Sequence, residues 1–263
     1  MIRILVTGAN GQLGKSIQKI ATNYPNFYFV FKSSQQFDIT DTSSIRSIFS
    51  SSTFDYCINC AAYTNVEQAE KDSETAFMVN AEAVKKLAMA CRDKGIVLFH
   101  FSTDYVFNGK KKTPYETTDV PDPINVYGAS KYKGEGYIQE TCKKYFIVRT
   151  SWVYSEFGKN FYKTILDKAK SEKVLYVTDQ QTGCPTHAKN LATYTLDLIE
   201  SGSKNHGIRH FTDGAAMTWY GFAKKILNET GLAETVKIEK AKNYRTFAQR
   251  PKNSVLATNT SNL

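Results

Sequence analysis

The sequence predicts an α/β protein built on a Rossmann-type, doubly wound parallel sheet, with a smaller C-terminal α/β region after it. Short apolar runs without polar alternation recur along the chain and are typical of strands that helices cover on both faces. Segments with apolar residues at helical spacing separate these runs, and right-handed crossovers of this kind give parallel strands. A glycine-rich loop joins the first strand to the first helix, as in dinucleotide-binding folds.

The first half of the chain alternates strands and helices in a regular order. The predicted strands are IRILVTG, FYFVFK, DYCINCAA and IVLFHFST. Between them lie three predicted helices, QLGKSIQKIATNY, TSSIRSIFS and ETAFMVNAEAVKKLAMACRDKG, the last of which ends at the C-cap residue Gly95. A helix near 125–143 and the strand YFIVRTSWVY follow. We therefore expect residues 1–150 to form a dinucleotide-binding domain.

The second half, residues 151–263, has a looser rhythm of the same elements. NFYKTILDKAK, KNLATYTLDLIESG and TWYGFAKKILNETG predict helices, and VLYVTD and GIRHFT predict strands. No low-complexity stretch or flexible linker separates the two halves. We therefore expect a substrate-binding region that packs against the first domain and can be interleaved with it.

Composition excludes several classes of protein. The chain has 263 residues, 41% hydrophobic and 22% charged, which argues against intrinsic disorder. No apolar run approaches the ~18 residues of a membrane span, and the N-terminus leads directly into a strand without a signal peptide. The net charge of +9 admits polyanionic ligands, but no zinc-finger or RNP motif indicates nucleic acid. We expect a soluble cytoplasmic protein that binds neither nucleic acid nor membrane.

The cysteines indicate neither a disulfide framework nor a metal site. They are odd in number and widely spread, at Cys57, Cys60, Cys91, Cys142 and Cys184. Cys57 and Cys60 form a CxxC pair, but they lie in an apolar strand where their spacing directs them to opposite faces. No second CxxC or histidine pair completes a metal site. We interpret all five as structural thiols.

The glycine loop predicts a binding site for a dinucleotide. Gly8, Gly11 and Gly14 lie between the first strand and the first helix, in the sequence GANGQLG. Glycines at these places allow a tight turn and close approach of the backbone to a pyrophosphate, and the helix N-terminus presents free N–H groups. The alternative is an ordinary turn.

The end of the second strand favours NADPH over NADH. An acidic residue at this place would bind the ribose 2′-hydroxyl of NAD, but the strand ends Phe31-Lys32-Ser33-Ser34. Lys32 and two hydroxyls suit a 2′-phosphate, although Lys32 can also be a solvated strand end. Asp38 is then a candidate partner for the adenine amino group.

Tyr127 and Lys131 predict an acid–base pair. They are four residues apart on a predicted helix, so their side chains share one face. A phenol has an ordinary pKa of about 10, and we expect the neighbouring ammonium to lower the pKa of Tyr127 toward the working range. The same spacing recurs at Tyr28 and Lys32 and at Tyr220 and Lys224.

The sequence context separates Tyr127 from these other pairs. It follows the strand FHFST, whose carboxyl end delivers Thr103 and Asp104 into the crevice where doubly wound sheets bind ligands. Thr103, Tyr127 and Lys131 thus form a hydroxyl, phenol and ammonium set suited to protonating a carbonyl oxygen as hydride reaches its carbon.

Many segments in order resemble the dTDP-4-dehydrorhamnose reductases, which are extended short-chain dehydrogenase/reductase proteins. These segments are GANGQLG, INCAAYTNVEQAE, FSTDYVFNG, NVYGASKYKGE, RTSWVY, DQQTGCPT, TWYGFAKKI and RPKNSVL. The resemblance implies reduction of the 4-keto group of dTDP-6-deoxy-L-lyxo-4-hexulose by NADPH. The product would be dTDP-L-rhamnose for cell-surface polysaccharide.

The same resemblance implies roles for individual residues. Tyr127 would be the proton donor, Lys131 would hold the nicotinamide ribose, and Thr103 would support Tyr127. The cofactor would be lined by Gly11, Gln12, Leu13, Asp38, Ile39, Ala62, Tyr63 and Thr64, and the substrate by Thr103, Asp104 and Trp152. Arg250, in the RP motif, would pair with a substrate phosphate or cap a helix, and Trp152 can also be a packing residue.

Some points stay open at this stage. Members of the family with a bridging metal have an acid at the position of Ser16, so we expect no Mg²⁺ site. The sequence leaves room for a homodimer. A sister reductase for another nucleotide 4-keto-6-deoxysugar would share Thr103, Tyr127 and Lys131, whereas a non-catalytic NADP-binding regulatory subunit would not need them.

Overall fold

The computed structural model describes residues 1–242 and 244–258. Its centre is a six-stranded sheet in the order β10-β5-β4-β3-β1-β2, in which every neighbouring pair is parallel. This confirms the predicted α/β class and the doubly wound parallel sheet. The described strands are β1 (Ile2–Thr7), β2 (Phe27–Phe31), β3 (Tyr56–Asn59), β4 (Val97–Thr103), β5 (Tyr145–Thr150), β6 (Val153–Tyr154), β7 (Val174–Val177), β8 (Thr182–Gly183), β9 (Thr186–His187), β10 (Gly207–His210), β11 (Met217–Thr218) and β12 (Lys237–Lys240).

The helices lie where helical periodicity predicts them, with one addition and one interruption. The addition is a short helix after β3, and the interruption is a π-helical turn at Met78–Glu82 in the long helix before β4. The described helices are α1 (Gln12–Ile20), α2 (Thr42–Ser51), α3 (Val66–Lys71), α4 (Ser73–Phe77), α5 (Ala83–Asp93), α6 (Val126–Thr141), α7 (Phe161–Ala169), α8 (Ala188–Glu200) and α9 (Trp219–Glu229).

Helices cover both faces of the central sheet, as its unalternating apolar strands require. In β1, Leu5 packs against the layer that contains α2 and α5, while Ile4 and Val6 pack against the layer that contains α1 and α8. All three side chains are fully buried, because successive residues of a strand face opposite sides and neither side is open to water.

The second half of the chain contributes to two bodies of structure. Strand β10 extends the central sheet beyond β5, and α8 packs on α1, so the sheet continues past the predicted boundary at residue 150. The remaining elements, chiefly α7, α9, β7 and β12, form a smaller lobe with its own apolar core. This lobe faces the carboxyl edge of the central sheet, where the candidate site lies.

The structure describes the state of the cysteines, the grouping of potential metal ligands and the length of the helices. All five cysteines are free, with Cys57 buried in the core and Cys60 partly exposed just beyond β3. Among the described residues there is no group of three or more potential metal ligands of the His, Cys, Asp or Glu types. No helix in the described ranges is both long and apolar enough to cross a membrane.

Candidate active site

A cavity of about 590 Å³ opens at the carboxyl edge of the central sheet, between the sheet and the smaller lobe. Its walls include the start of α1, the ends of β3, β4 and β5, part of α6, and residues of the smaller lobe. Open parallel sheets bind ligands in such a crevice, at the carboxyl ends of the strands. There the loops that leave two neighbouring strands run to opposite faces of the sheet and leave a space between them. The predicted set of Thr103, Tyr127 and Lys131 lines this one cavity.

The N-terminus of α1 faces the cavity without a capping side chain. Its N-cap is Gly11, which makes no side-chain hydrogen bond, and Gly11, Gln12 and Leu13 line the cavity. Every other described α-helix that starts after a non-helical residue has an Asp, Asn, His or Thr side chain that accepts a hydrogen bond from its first turn. The free N–H groups of α1 therefore fit a phosphate group supplied by a ligand.

Close backbone contact explains the tight turn that precedes α1. Gly8 has a φ of +60°, and a Cβ there would lie 2.6 Å from the backbone nitrogen of Ala61. Glycine therefore allows the loop to lie directly against the chain that leaves β3. Ala62 and Thr64, in that chain, also line the cavity.

Helix α6 holds Tyr127 and Lys131 at the cavity wall. Its N-cap Asn125 accepts a hydrogen bond from the backbone nitrogen of Gly128 at 2.7 Å. A Cβ on Gly128 would lie 2.1 Å from the carbonyl oxygen of Tyr105, so α6 meets the backbone that follows β4 in direct contact. This packing fixes the first turn of α6, which carries Tyr127, beside the end of β4, which carries Thr103.

Thr103 and Asp104 form a buried polar pair at the end of β4. The Thr103 hydroxyl accepts a hydrogen bond from the backbone nitrogen of Tyr105 at 3.1 Å and donates one to Asp104 Oδ1 at 3.1 Å. The other Asp104 oxygen accepts a hydrogen bond of 2.5 Å from Ser254 Oγ. Burial raises the pKa of Asp104 to about 7, although these hydrogen bonds act in the opposite direction.

The expected lowering of the Tyr127 pKa is wrong for the protein as it stands. Desolvation raises the pKa of Tyr127 well above its ordinary value, and a hydrogen bond with Thr103 opposes this only in part. Burial of the phenol is the largest cause, and the Lys131 amine contacts His100 Nε2, at 3.2 Å, on the sheet below. Desolvation therefore outweighs any cationic neighbour at the phenol.

Lys131 is almost completely buried, with 2% of its surface exposed. Burial lowers its pKa to about 8, and the carboxylate of Glu135 acts in the opposite direction. Glu135 is itself paired with Arg149, whose Nη2 lies 2.6 Å from its Oε2 in a fully buried salt bridge. Glu135 thus makes its hydrogen bonds with Arg149 on β5, and burial has the larger effect on the pKa of Lys131.

Two buried hydroxyls at the strand ends have no partner within the described chain. They are Ser102 Oγ on β4 and Thr150 Oγ1 on β5, and both residues line the cavity. A buried hydroxyl without a hydrogen bond is costly, so these atoms fit the polar edge of a bound molecule. Together with the uncapped α1, they make the cavity suitable for a dinucleotide and a polar substrate.

Trp152 reaches the cavity from the chain just beyond β5. It has a φ of +48°, a left-handed conformation that a bulky side chain rarely adopts. Its ring stacks on Trp219 and contacts Gly183, where an added Cβ would lie 2.6 Å from the indole. Trp152 therefore lies between the central domain and the smaller lobe, with its ring at the cavity wall.

Seven predicted site residues lie outside the wall of this cavity. Gly8, Gly14, Lys32, Asp38, Ile39, Tyr63 and Arg250 do not line it. Asp38 is exposed and accepts two hydrogen bonds from Thr40, while Ile39 is buried in the core. Lys32 follows β2 at the same carboxyl edge, so its prediction as a partner of the 2′-phosphate stays a prediction.

Arg250 lies in a smaller cavity of about 220 Å³ that shares Phe161 and Trp219 with the main one. Its Nη2 contacts Glu67 Oε1 at 2.5 Å, and its Nη1 donates a hydrogen bond to the Tyr105 hydroxyl at 3.1 Å. The guanidinium is thus already paired within the protein. A role with a substrate phosphate stays a prediction, and its position next to the main cavity is compatible with it.

Several residues of the cavity are missing from the sequence prediction. Asn59 and Cys60 line it at the end of β3, and burial raises the pKa of the Cys60 thiol. Lys159, Phe161 and Trp219 line it from the smaller lobe. The end of a predicted strand is a signal that could have identified Asn59, and Trp219 lies in the quoted segment TWYGFAKKI, whereas nothing in the local sequence marks Lys159 or Phe161.

The sheet, the uncapped glycine loop and the Thr103, Tyr127 and Lys131 cluster define a short-chain dehydrogenase/reductase of the extended class. The family model described as "RmlD substrate binding domain" matches residues 2–263. The chain is 38% identical to the dTDP-4-dehydrorhamnose reductase of Aggregatibacter actinomycetemcomitans, over 97% of this chain and 90% of that protein. It is 36% identical to the spore coat polysaccharide biosynthesis protein SpsK of Bacillus subtilis, over 98% of this chain and 89% of that protein.

A solved structure of a similarly named relative has the same fold. The dTDP-4-dehydrorhamnose reductase of Bacillus anthracis in complex with NADP superposes with a TM-score of 0.94 at 36% identity, over 98% of this chain and 92% of that one. The chain belongs to the dTDP-4-dehydrorhamnose reductase family of oxidoreductases. The resemblance found in the sequence motifs is thereby confirmed.

Proposed function

We propose that the protein reduces the C4 ketone of dTDP-6-deoxy-L-lyxo-4-hexulose with NADPH and forms dTDP-L-rhamnose for cell-surface polysaccharide. The observation that carries this proposal is the meeting of Thr103, Tyr127 and Lys131 in one cavity beside the uncapped N-terminus of α1. Family membership and the NADP bound to the Bacillus anthracis relative support the choice of reaction and cofactor. NADPH supplies the hydride when it is bound, and NADH is the weaker candidate.

The start of α1 and the loops beside it would hold the cofactor. Its free N–H groups at Gln12 and Leu13 suit the pyrophosphate, because the helix dipole favours negative charge there, whereas the N–H of Gly11 donates to the Gly8 carbonyl oxygen at 2.9 Å. Lys32 would bind the 2′-phosphate and Asp38 the adenine amino group. Gly8 and Gly14 shape the loop, and the remaining wall of this site would be Ile39, Ala62, Tyr63, Thr64 and Lys131.

Tyr127 would donate a proton to the substrate oxygen. Its raised pKa keeps the phenol protonated in the unliganded protein, which is the form that a reduction needs. Thr103 would hold the substrate oxygen and the phenol together through its hydroxyl. Lys131 would bind the nicotinamide ribose and supply positive charge as the phenol loses its proton.

The substrate would lie between the central domain and the smaller lobe. Trp152 offers an apolar ring at the cavity wall, and Asp104 lies directly after Thr103. Arg250, in the adjoining cavity, would meet the diphosphate if the nucleotide end of the substrate extends past Phe161 and Trp219. This arrangement directs the sugar to Tyr127 and the nucleotide to the lobe.

The cellular setting of the proposal follows from its reactants. A nucleotide sugar and NADPH are small soluble molecules, so we propose that the enzyme acts in the cytoplasm. Assembly as a homodimer is part of the proposal, and sedimentation of the purified protein measures it.

The test compares two nucleotide sugars as substrates. The protein is mixed with NADPH and either dTDP-6-deoxy-L-lyxo-4-hexulose or its C3,C5 epimer dTDP-6-deoxy-D-xylo-4-hexulose, and the product is identified by NMR. We expect rapid formation of dTDP-L-rhamnose from the first sugar. Preferred turnover of the second sugar would point to a sister reductase, and binding of NADPH without any turnover would point to a regulatory subunit.

A further inference from the structure

A row of buried polar side chains crosses three strands beneath Lys131. Thr7 on β1, Asn59 on β3 and His100 on β4 are direct register partners across the sheet. Thr7 Oγ1 donates to Asn59 Oδ1 at 2.6 Å, Asn59 Nδ2 lies 3.1 Å from His100 Nδ1, and His100 Nε2 lies 3.2 Å from Lys131 Nζ. None of these four residues is more than 2% exposed, so water does not compete for their hydrogen bonds.

The orientation of the Asn59 amide is determined by its neighbours. Its oxygen accepts hydrogen bonds from the Thr7 hydroxyl and from the backbone nitrogen of Ala61, the latter at 3.2 Å. A rotated amide would place its NH₂ group against the N–H of Ala61, where two donors would face each other. Asn59 therefore donates to Nδ1 of His100.

This orientation selects one tautomer of His100. When Nδ1 accepts a hydrogen bond, a neutral imidazole carries its proton on Nε2. That Nε2–H points to Lys131 Nζ. An ammonium has three donors and no lone pair, so the contact is satisfied only when Lys131 is a neutral amine that accepts the hydrogen bond.

We propose that Asn59 and His100 form a positioning unit that presents the Nε2–H of His100 to Lys131 and stabilises the neutral amine before the cofactor binds. Burial acts in the same direction: it lowers the pKa of Lys131 to about 8 and the pKa of His100 well below its ordinary range. The titratable and charged groups around Lys131 are Tyr127 and Glu135 on α6, His100 and Asp104 on β4 and its continuation, Arg149 on β5 and Cys60 after β3.

The consequence for turnover rests on the proposed function. In that reaction Tyr127 gives its proton to the substrate oxygen and becomes a phenolate. A Lys131 that gains and loses a proton near neutral pH can return one proton to the phenolate and take one from solvent, so that each turnover consumes one solvent proton. The neutral amine therefore takes up the solvent proton first and then passes a proton to the phenolate.

The tautomer of His100 can be measured without substrate or cofactor. The chain has four histidines, so the ring nitrogens of a ¹⁵N-histidine-labelled sample give few signals, and the His100→Gln variant assigns those of His100. We expect the neutral Nε2–H tautomer, with an Nε2 signal that moves as Lys131 titrates and stays constant in Lys131→Met. A His100 that is cationic, or that carries its proton on Nδ1, would overturn the proposal.

The Asn59→Asp variant tests whether the side chain at position 59 selects the tautomer of His100 and, through it, the protonation of Lys131. A carboxylate accepts from Nδ1–H, which leaves the Nε2 lone pair facing Lys131 and favours the ammonium. We expect the tautomer to reverse and the Lys131 titration to move up by about one pH unit or more. Asn228→Asp, an exposed change on α9, should move neither signal.

A folded Asn59→Asp variant with an unchanged tautomer and titration would contradict the proposal. His100→Gln is the second test, because its amide can rotate to offer Lys131 an oxygen, and we expect it also to raise the Lys131 titration. These readings are made on the unliganded protein. They therefore test the positioning unit independently of the substrate assignment. A loss of sugar turnover alone would count only against the proposed function.

Discussion

The indole ring of Trp152 stacks face to face on that of Trp219, with ring centroids 3.5 Å apart and 6° between the planes. Trp152 follows β5 of the central sheet, whereas Trp219 begins α9 of the smaller lobe. The pair therefore joins the two bodies at the cavity wall. It also holds Trp152 in a left-handed backbone conformation that costs about 1–3 kcal/mol on its own.

Gly183→Ala should displace Trp152 and weaken substrate binding. The added Cβ would lie 2.6 Å from the indole, so the ring must move away from its stacked position. We expect KM for the nucleotide sugar to rise about tenfold or more, with little change in NADPH affinity. Because these are the two tryptophans of the chain, their fluorescence reports the displacement directly.

The matched control for that change is Gly136→Ala. Gly136 lies on α6, and an added Cβ there meets nothing within 4 Å. Alanine should therefore leave KM unchanged and stabilise the protein by about 0.5–1 kcal/mol, as expected for a helical glycine with open space at its Cβ. Equal KM values for the two variants would remove Trp152 from the substrate site.

Tyr127→Phe should abolish most turnover and leave cofactor binding nearly intact. The change removes one hydroxyl, the proposed proton donor, and keeps the ring that packs on Tyr105. We expect kcat to fall about 10²–10⁴-fold, the usual contribution of general acid catalysis. Tyr132→Phe is the control and should keep full activity, because Tyr132 lies on the same helix but is exposed to solvent. A Tyr127→Phe variant with normal kcat would show that another group supplies the proton.

Lys32→Asp should shift the preference from NADPH toward NADH. The change removes the cation proposed to bind the 2′-phosphate and places an acid where NAD-dependent proteins bind the ribose hydroxyls. We expect kcat/KM for NADPH to fall by about tenfold or more relative to NADH. Lys110→Asp, in an exposed loop, changes the net charge equally and should leave the ratio unaltered. The same ratio in both variants would show that Lys32 does not contact the 2′-phosphate.

Asp104→Asn should change the pH dependence of stability. Burial raises the pKa of Asp104 from 3.8 to about 7, so between these values the folded protein keeps a proton that the unfolded chain has lost. The free energy of unfolding of the wild type therefore falls as pH rises through this window, by an amount of ~2–4 kcal/mol. The free energy of unfolding of Asp104→Asn does not fall for this reason, because the amide does not titrate.

Urea denaturation at a series of pH values measures the effect. The free energy of unfolding of Asp104→Asn, minus that of the wild type, should rise from about pH 4 to about pH 7 and stay level above pH 7. A difference that is constant with pH would mean that Asp104 is ionised in the folded protein throughout the window.

The periodicity of the sequence predicts the central sheet because that signal is local. Strands such as β1 and β4 are continuous apolar runs, and the long α6 starts at a capping residue, Asn125, that is visible in the sequence. The meeting of Thr103 and Tyr127 also follows from local order, since a strand end and the next helix start lie at one edge of the sheet. These parts of the site need no knowledge of distant contacts.

Other parts of the site depend on contacts between distant residues and could not be predicted. Arg250 pairs with Glu67, 183 residues away, so its charge is satisfied in a way that no local motif indicates. The contact of Lys131 with His100 depends on how α6 lies over the sheet. Desolvation by the folded protein, which no spacing rule describes, decides the pKa of Tyr127.

The most direct test of the central claim follows the hydride itself. The protein is given dTDP-6-deoxy-L-lyxo-4-hexulose and NADPH that carries deuterium at its transferable position, and the sugar product is examined by NMR. We predict dTDP-L-rhamnose with deuterium bound at C4, formed by the wild type and nearly absent with Tyr127→Phe. A product without deuterium at C4, or no reduction of this sugar by a protein that binds NADPH, would contradict the account.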